Sequence, residues 1–286
     1  MVWCNRGLGC VVLKHGIPLE SIYDEDPQPD WMYEGRICRE DRLLVATGDG
    51  GVGKSLFMYS MMMSMILGRE FMGKPFIGQT PKFLIVDLDM GAPAIKKHLL
   101  NVAESLDLRR EDIGGIEERI ALYCDGTYPL PYGFDFGDEK VGIGSLRRVL
   151  ADVDPDIVIV ESWSDICGTA VDMDSNNAVN AAIRHLRSYG EDAYQWWLIH
   201  HEGKAKHDST KARKLVQHRG IGAQALGKAA HRNFSITHQR RDGNATINRV
   251  EWGKIRLGER PTNFEYAFGK GPDGRFRMRY MDEVHE

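Results

Sequence analysis

The chain has 286 residues, of which 42% are hydrophobic and 27% charged, a composition that excludes a disordered or fibrous chain and suits one large folded unit with ample core. No apolar run reaches the length of a membrane span, the first residues lack the charged-then-apolar order of a secretion signal, and a cytoplasmic protein is expected. Five cysteines, odd in number and without a C-x-x-C pair, fit reduced thiols rather than a disulfide or zinc framework. The net charge of −4 conceals an asymmetry: residues 1–200 carry 19 Lys and Arg against 31 Asp and Glu, whereas residues 201–286 carry 18 against 10. A basic C-terminal third points to a polyanion surface, or to cations that reach a neighbour's nucleotide.

Residues 1–30 read as an N-terminal extension that ends in the acidic, Pro-broken stretch Asp24–Asp30, and residues 31–286 as the folded domain. A short strand at Leu43–Ala46 runs into Gly48, Asp49, Gly50, Gly51, Val52, Gly53, Lys54 and Ser55, which match G-x-x-x-x-G-K-[ST]. Glycines let this loop turn its N–H groups onto phosphate oxygens, and Lys54 adds a point charge. Ser55 suits Mg²⁺ through its hydroxyl, and Leu56 closes the nucleotide-binding set. A helix follows from Ser55 to Leu67, stopped by Gly68, and its methionines are expected in the core.

Strand and helix patterns then alternate. Phe83–Leu88, Ile120–Tyr123, Asp156–Val160 and Tyr194–His201 read as buried strands; Pro93–Leu106, Val141–Val153 and Asn177–Tyr189 read as helices. Such alternation predicts an α/β fold with a mostly parallel sheet flanked by helices. Past residue 232 the pattern changes to short strands at Asn233–His238, Ala245–Trp252, Thr262–Phe268 and Arg275–Met281, separated by Gly-containing turns, which predicts C-terminal antiparallel hairpins.

Polar groups at the C-terminal ends of the strands are placed for chemistry, because ligands sit outside those ends in open α/β sheets. Asp87 and Asp89 end one strand, alternation putting both on one face; Asp87 can equally cap the next helix. Glu161 ends another strand, with Asp165 as its rival, and His200 and His201 end the next.

This order of motifs resembles RecA-type P-loop ATPases, and among them the hexameric replicative helicases of the plasmid RepA kind. Arg219-Gly220-Ile221-Gly222-Ala223 is similar to a segment of that group. Lys254-Ile255-Arg256-Leu257-Gly258 resembles the K-x-R-x-G motif shared with DnaB-type helicases. The resemblance implies a RecA-like core that binds ATP and Mg²⁺ and acts as a homo-oligomer, a hexameric ring, on single-stranded DNA. By it, Asp89 activates water, Glu161 organises Mg²⁺ and His201 senses the γ-phosphate. Lys254 and Arg256 would act across a subunit interface. The two acids stand with their lengths exchanged relative to the common pattern. The loop 202–220, with Lys204, Lys206, Lys211, Arg213, Lys214 and Arg219, would line the channel and follow a phosphate backbone. Trp163 is placed either to stack on a base or to pack. Two rival functions stay open: a recombination or annealing ATPase that forms filaments on DNA, and an ATP-binding switch that serves a protein partner without DNA.

Overall fold

The computed structural model describes residues 29–284 apart from 88, 113, 125–143, 168–170, 174, 190–192 and 202–224. Two short strands, β1 (Trp31–Tyr33) and β2 (Ile37–Cys38), form a separate antiparallel ribbon. The remaining described strands, β3 (Leu43–Gly48), β4 (Phe83–Asp87), β5 (Ile120–Cys124), β6 (Ile157–Glu161), β7 (Gln195–His201), β8 (Arg232–Asp242), β9 (Ala245–Ile255), β10 (Asn263–Lys270) and β11 (Phe276–Val284), make one sheet. Its order is β11-β10-β9-β8-β3-β7-β6-β4-β5. From β8 to β5 every pairing is parallel; β9, β10 and β11 extend the sheet antiparallel. The C-terminal hairpins therefore continue the central sheet beside β3.

The parallel strands are buried on both faces, which explains their unbroken apolar runs. One face packs beneath α1 (Lys54–Ile66) and α2 (Gly91–Ser105), through Phe57, Met58, Met61, Met62, Ile95 and Val102. The methionines of α1 are buried as expected. The other face packs against α4 (Gly144–Val153), α5 (Trp163–Cys167), α6 (Asn176–Ser188) and α7 (Ala225–Ala229); a short helix α3 (Gly114–Glu117) precedes β5. Residues ahead of β3 join the first core, with Met32, Tyr33 and Ile37 all buried.

Two boundaries have local causes. β4 stops at Asp87 because its Oδ1 accepts the N–H groups of Asp89 (3.0 Å), Met90 (2.8 Å) and Gly91 (3.4 Å), which turns the chain into α2. Strand alternation therefore does not extend to Asp89, and the expected strand residue Leu88 lies outside the described residues. At α6, Ser175 Oγ accepts from Ala178 N at 3.3 Å and starts the helix.

A buried ion pair ties the N-terminal ends of β3 and β8 together. Arg232 Nε donates to Asp41 Oδ2 at 2.6 Å, with side chains 0% and 2% exposed. Asp41 also accepts from Cys38 N, and Arg232 donates to Leu257 O. Removing one partner leaves the other charge buried and unpaired. Asp41→Ala should lower stability in urea unfolding by about 3–5 kcal/mol, whereas Asp41→Leu with Arg232→Met together should cost far less. Equal losses in the two variants would show that the pair itself is not what matters.

Candidate nucleotide-binding and catalytic site

Parallel register brings the polar strand ends together. Gly48 of β3 lies beside His201 of β7, and Asp87 of β4 beside Glu161 of β6. By alternation with Ile199, Ile85 and Ile159, His201, Asp87 and Glu161 share the face beneath α1 and α2. His200 alternates with Trp196 and Leu198 onto the opposite face, so the structure separates the two histidines.

The loop between β3 and α1 is held on three sides. Gly48 has φ +153°, and a Cβ there would run into the carbonyl oxygen of Ile236 on β8. Asn248 of β9 donates through Nδ2 to Val52 O at 2.6 Å. Gly53, with φ +92°, lies under Phe268 of β10, whose ring would be 3.2 Å from an added Cβ. Gly51 also has positive φ, at +76°. Within this frame Lys54 Nζ donates to the Gly48 and Asp49 carbonyls, each at 2.9 Å, and sits 3.4 Å from His201 Nδ1. Burial, then the Lys54 charge, lowers the His201 pKa, so the ring is neutral and Nδ1 can accept from the ammonium.

Ser55 and Glu161, expected together at a cation, are in contact: Ser55 Oγ donates to Glu161 Oε1. Tyr59 Oη donates to the other oxygen, Oε2, at 3.1 Å. Asp87 is 0% exposed; with Oδ1 engaged at the start of α2, its Oδ2 is buried without a hydrogen-bond partner among the described residues. The rival acid Asp165 is exposed and accepts from Ser162 Oγ instead. Asp89 is exposed at the mouth of the site. A hydroxyl and a carboxylate are hard oxygen donors, and Mg²⁺ takes one or two such protein ligands beside phosphate oxygens and water, so the residues fit that ion. The described residues hold no cluster of three or more His, Cys, Asp or Glu, which accords with such a sparse site rather than an all-protein cage.

Lys254, in β9, and Arg256, just beyond it, lie elsewhere. Arg232 pairs with both Leu44 and Ile255, whereas the phosphate loop leaves the sheet at Gly48 beside Ile236. Four residues of strand separate the two ends, roughly 13 Å. There Lys254 Nζ donates to Lys228 O, and Arg256 donates to Lys228 O (3.4 Å) and Ala229 O (3.3 Å), covering the carbonyl end of α7. Neither cation joins the phosphate loop of its own chain.

Trp163 corrects an expectation. It is 0% exposed and packs with Val179, Ile183 and Trp196, because the chain enters α5 directly after β6 and the indole fills the layer beneath; it is not presented to a base. Lys204, Lys206, Lys211, Arg213, Lys214 and Arg219 lie outside the described residues, as does the segment 219–223. The sequence reading missed Tyr59, Asn248 and Phe268. Tyr59 had a legible signal, lying four residues after Ser55 on the same helix face. Asn248 and Phe268 depend on the pairing of distant strands.

A family model described as AAA domain matches residues 15–207. Among solved structures, the ATPase domain of a DnaB-like helicase is similar in fold, with a TM-score of 0.58 and 16% sequence identity over 90% of this chain and 94% of that one. No curated protein matches the chain.

Burial holds the Glu161 carboxyl up at about 7; the Ser55 hydrogen bond opposes the rise, the Asp87 charge adds to it and the Tyr59 hydrogen bond opposes it. The unfolded chain releases this proton near the ordinary glutamate value, about 4.3. The resulting stabilisation is complete below that value and is lost as pH rises through about 7. Between about pH 5 and pH 8, metal-free protein should lose about 2–3 kcal/mol more stability in urea unfolding than Glu161→Gln. Parallel pH profiles for the two proteins would contradict this.

Proposed function

The chain belongs to the AAA domain family, and on that premise we propose that it is a Mg²⁺-dependent ATPase that works as a ring-forming helicase or translocase on single-stranded DNA. Its fold is the RecA-type P-loop core, and an ATPase is the activity that family and fold support. In this reading residues 31–286 form the motor domain and residues 1–30 an extension to it. The observation that carries the proposal is the meeting of Lys54, Ser55, Glu161 and His201 at one sheet edge, with Lys254 and Arg256 at the other.

The amides of Gly48 to Leu56 bind the phosphates at the N-terminus of α1. Lys54, held by two loop carbonyls and sitting beside His201, exchanges these contacts for β- and γ-phosphate oxygens when nucleotide enters. Ser55 and Glu161 would hold Mg²⁺, which when bound neutralises charge on the phosphate oxygens. Asp89, open to solvent, orients the attacking water. His201 reports the γ-phosphate through Lys54. Lys254 and Arg256 reach a neighbour's nucleotide, which accounts for cations so far from the phosphate loop of their own chain. The basic loop 202–220 then tracks a single strand by phosphate contact, without reading sequence.

The test is ATP hydrolysis with and without single-stranded DNA, with Lys54→Ala as the control. Hydrolysis should rise with DNA and be lost in Lys54→Ala. DNA affinity should fall with salt, with a log–log slope reaching about −4 if the six loop cations of this segment all engage phosphates. Hydrolysis indifferent to DNA would overturn the translocase reading and favour an ATP-dependent switch with a protein partner.

A further inference from the structure

Ser55 and Tyr59 stand four residues apart on α1, so their side chains project from the same helix face, one turn apart. Both reach a single carboxylate. Ser55 Oγ takes Glu161 Oε1 and Tyr59 Oη takes Oε2, the latter at 3.1 Å. Tyr59 is 0% exposed and Glu161 5% exposed, so neither has water to replace the other. Across the sheet the neighbouring residue is Asp87, buried, with Oδ2 unpartnered among the described residues. Two carboxylates one strand apart repel each other, and Glu161 needs a donor on the Asp87 side or it turns away.

We propose that Tyr59 is the positioning residue that keeps the Glu161 carboxylate aimed at the cation when the Ser55 hydroxyl turns from Glu161 to the metal. The inference rests on the reading of Ser55 and Glu161 as the cation-holding pair. Before metal arrives the acid is gripped at both oxygens. Once Ser55 is drawn off, Tyr59 is its remaining side-chain tether on α1, and Oε1 is left free to face the ion. Burial keeps the Tyr59 hydroxyl protonated far above its ordinary range, with the Glu161 charge adding to the rise, so it remains a donor throughout. Phe57, Met58 and Met61 anchor this part of α1 in the core, which fixes where the hydroxyl points. Hydrogen bonds of this outer kind govern ligand orientation as well as ligand basicity.

Mn²⁺ binding to the full-length, ADP-loaded chain, followed by electron paramagnetic resonance, tests the assignment. Ser55→Ala and Glu161→Gln should both weaken Mn²⁺. Tyr59→Phe, which keeps the ring and its packing, should weaken Mn²⁺ roughly 10–100-fold, while ADP affinity in excess chelator stays at the wild-type value. In turnover the same variant should need more Mg²⁺ for half-maximal rate, with little change in the KM for ATP at saturating Mg²⁺. Wild-type Mn²⁺ affinity in Tyr59→Phe, alongside losses in the other two variants, would make Tyr59 a satisfied core tyrosine and overturn the proposal. If Ser55→Ala and Glu161→Gln also bind Mn²⁺ normally, the cation-site reading falls first and the role of Tyr59 with it.

Discussion

The shared register of β3, β4, β6 and β7 is the constraint on which the site depends. Parallel pairing fixes which residues end side by side, and here it sets Gly48 beside His201 and Asp87 beside Glu161. A slip of one residue in any of these strands would carry its terminal polar group to the opposite face, as His200 illustrates one position before His201. Both faces of these strands are buried in packed cores, so the register is strongly specified. The chemistry at the edge therefore draws its precision from apolar side chains that never meet a ligand.

The antiparallel strands add a second frame. β8 supplies the Ile236 carbonyl behind Gly48, β9 the Asn248 amide on Val52, and β10 the Phe268 ring over Gly53. The phosphate loop is thus shaped by strands distant in sequence as well as by its own glycines. β9 carries Asn248 near this loop and Lys254 near the other edge, within one hydrogen-bonded strand. In the proposed ring, one rigid element would link a chain's own nucleotide to the cations it offers its neighbour. The Asp41–Arg232 pair anchors the end of the sheet where those cations sit.

Local sequence made much of this legible. The phosphate loop, its flanking strand and helix, and the alternating core follow from glycine spacing and apolar runs, and the described strands and helices fall close to the expected positions. The face shared by Ser55 and Glu161 was readable because each sits at a fixed point relative to an apolar element. Asp89 was harder, since the capping turn made by Asp87 ends the alternation on which its placement rested. Trp163 was ambiguous for a different reason: an aromatic after a strand-end acid packs or projects according to the direction of the next helix, which no local pattern sets. Asn248, Phe268 and the position of Lys254 relative to the loop depend on strand order, which single-sequence periodicity does not contain.

Completion of each site by a neighbour is the central claim, and subunit mixing tests it most directly. Lys54→Ala and Arg256→Ala should each be inactive alone, while mixing them before assembly should restore ATP hydrolysis, because some interfaces then pair an intact phosphate loop with an intact Arg256. Wild-type hydrolysis by Arg256→Ala alone, or a mixture that stays inactive, would contradict the account.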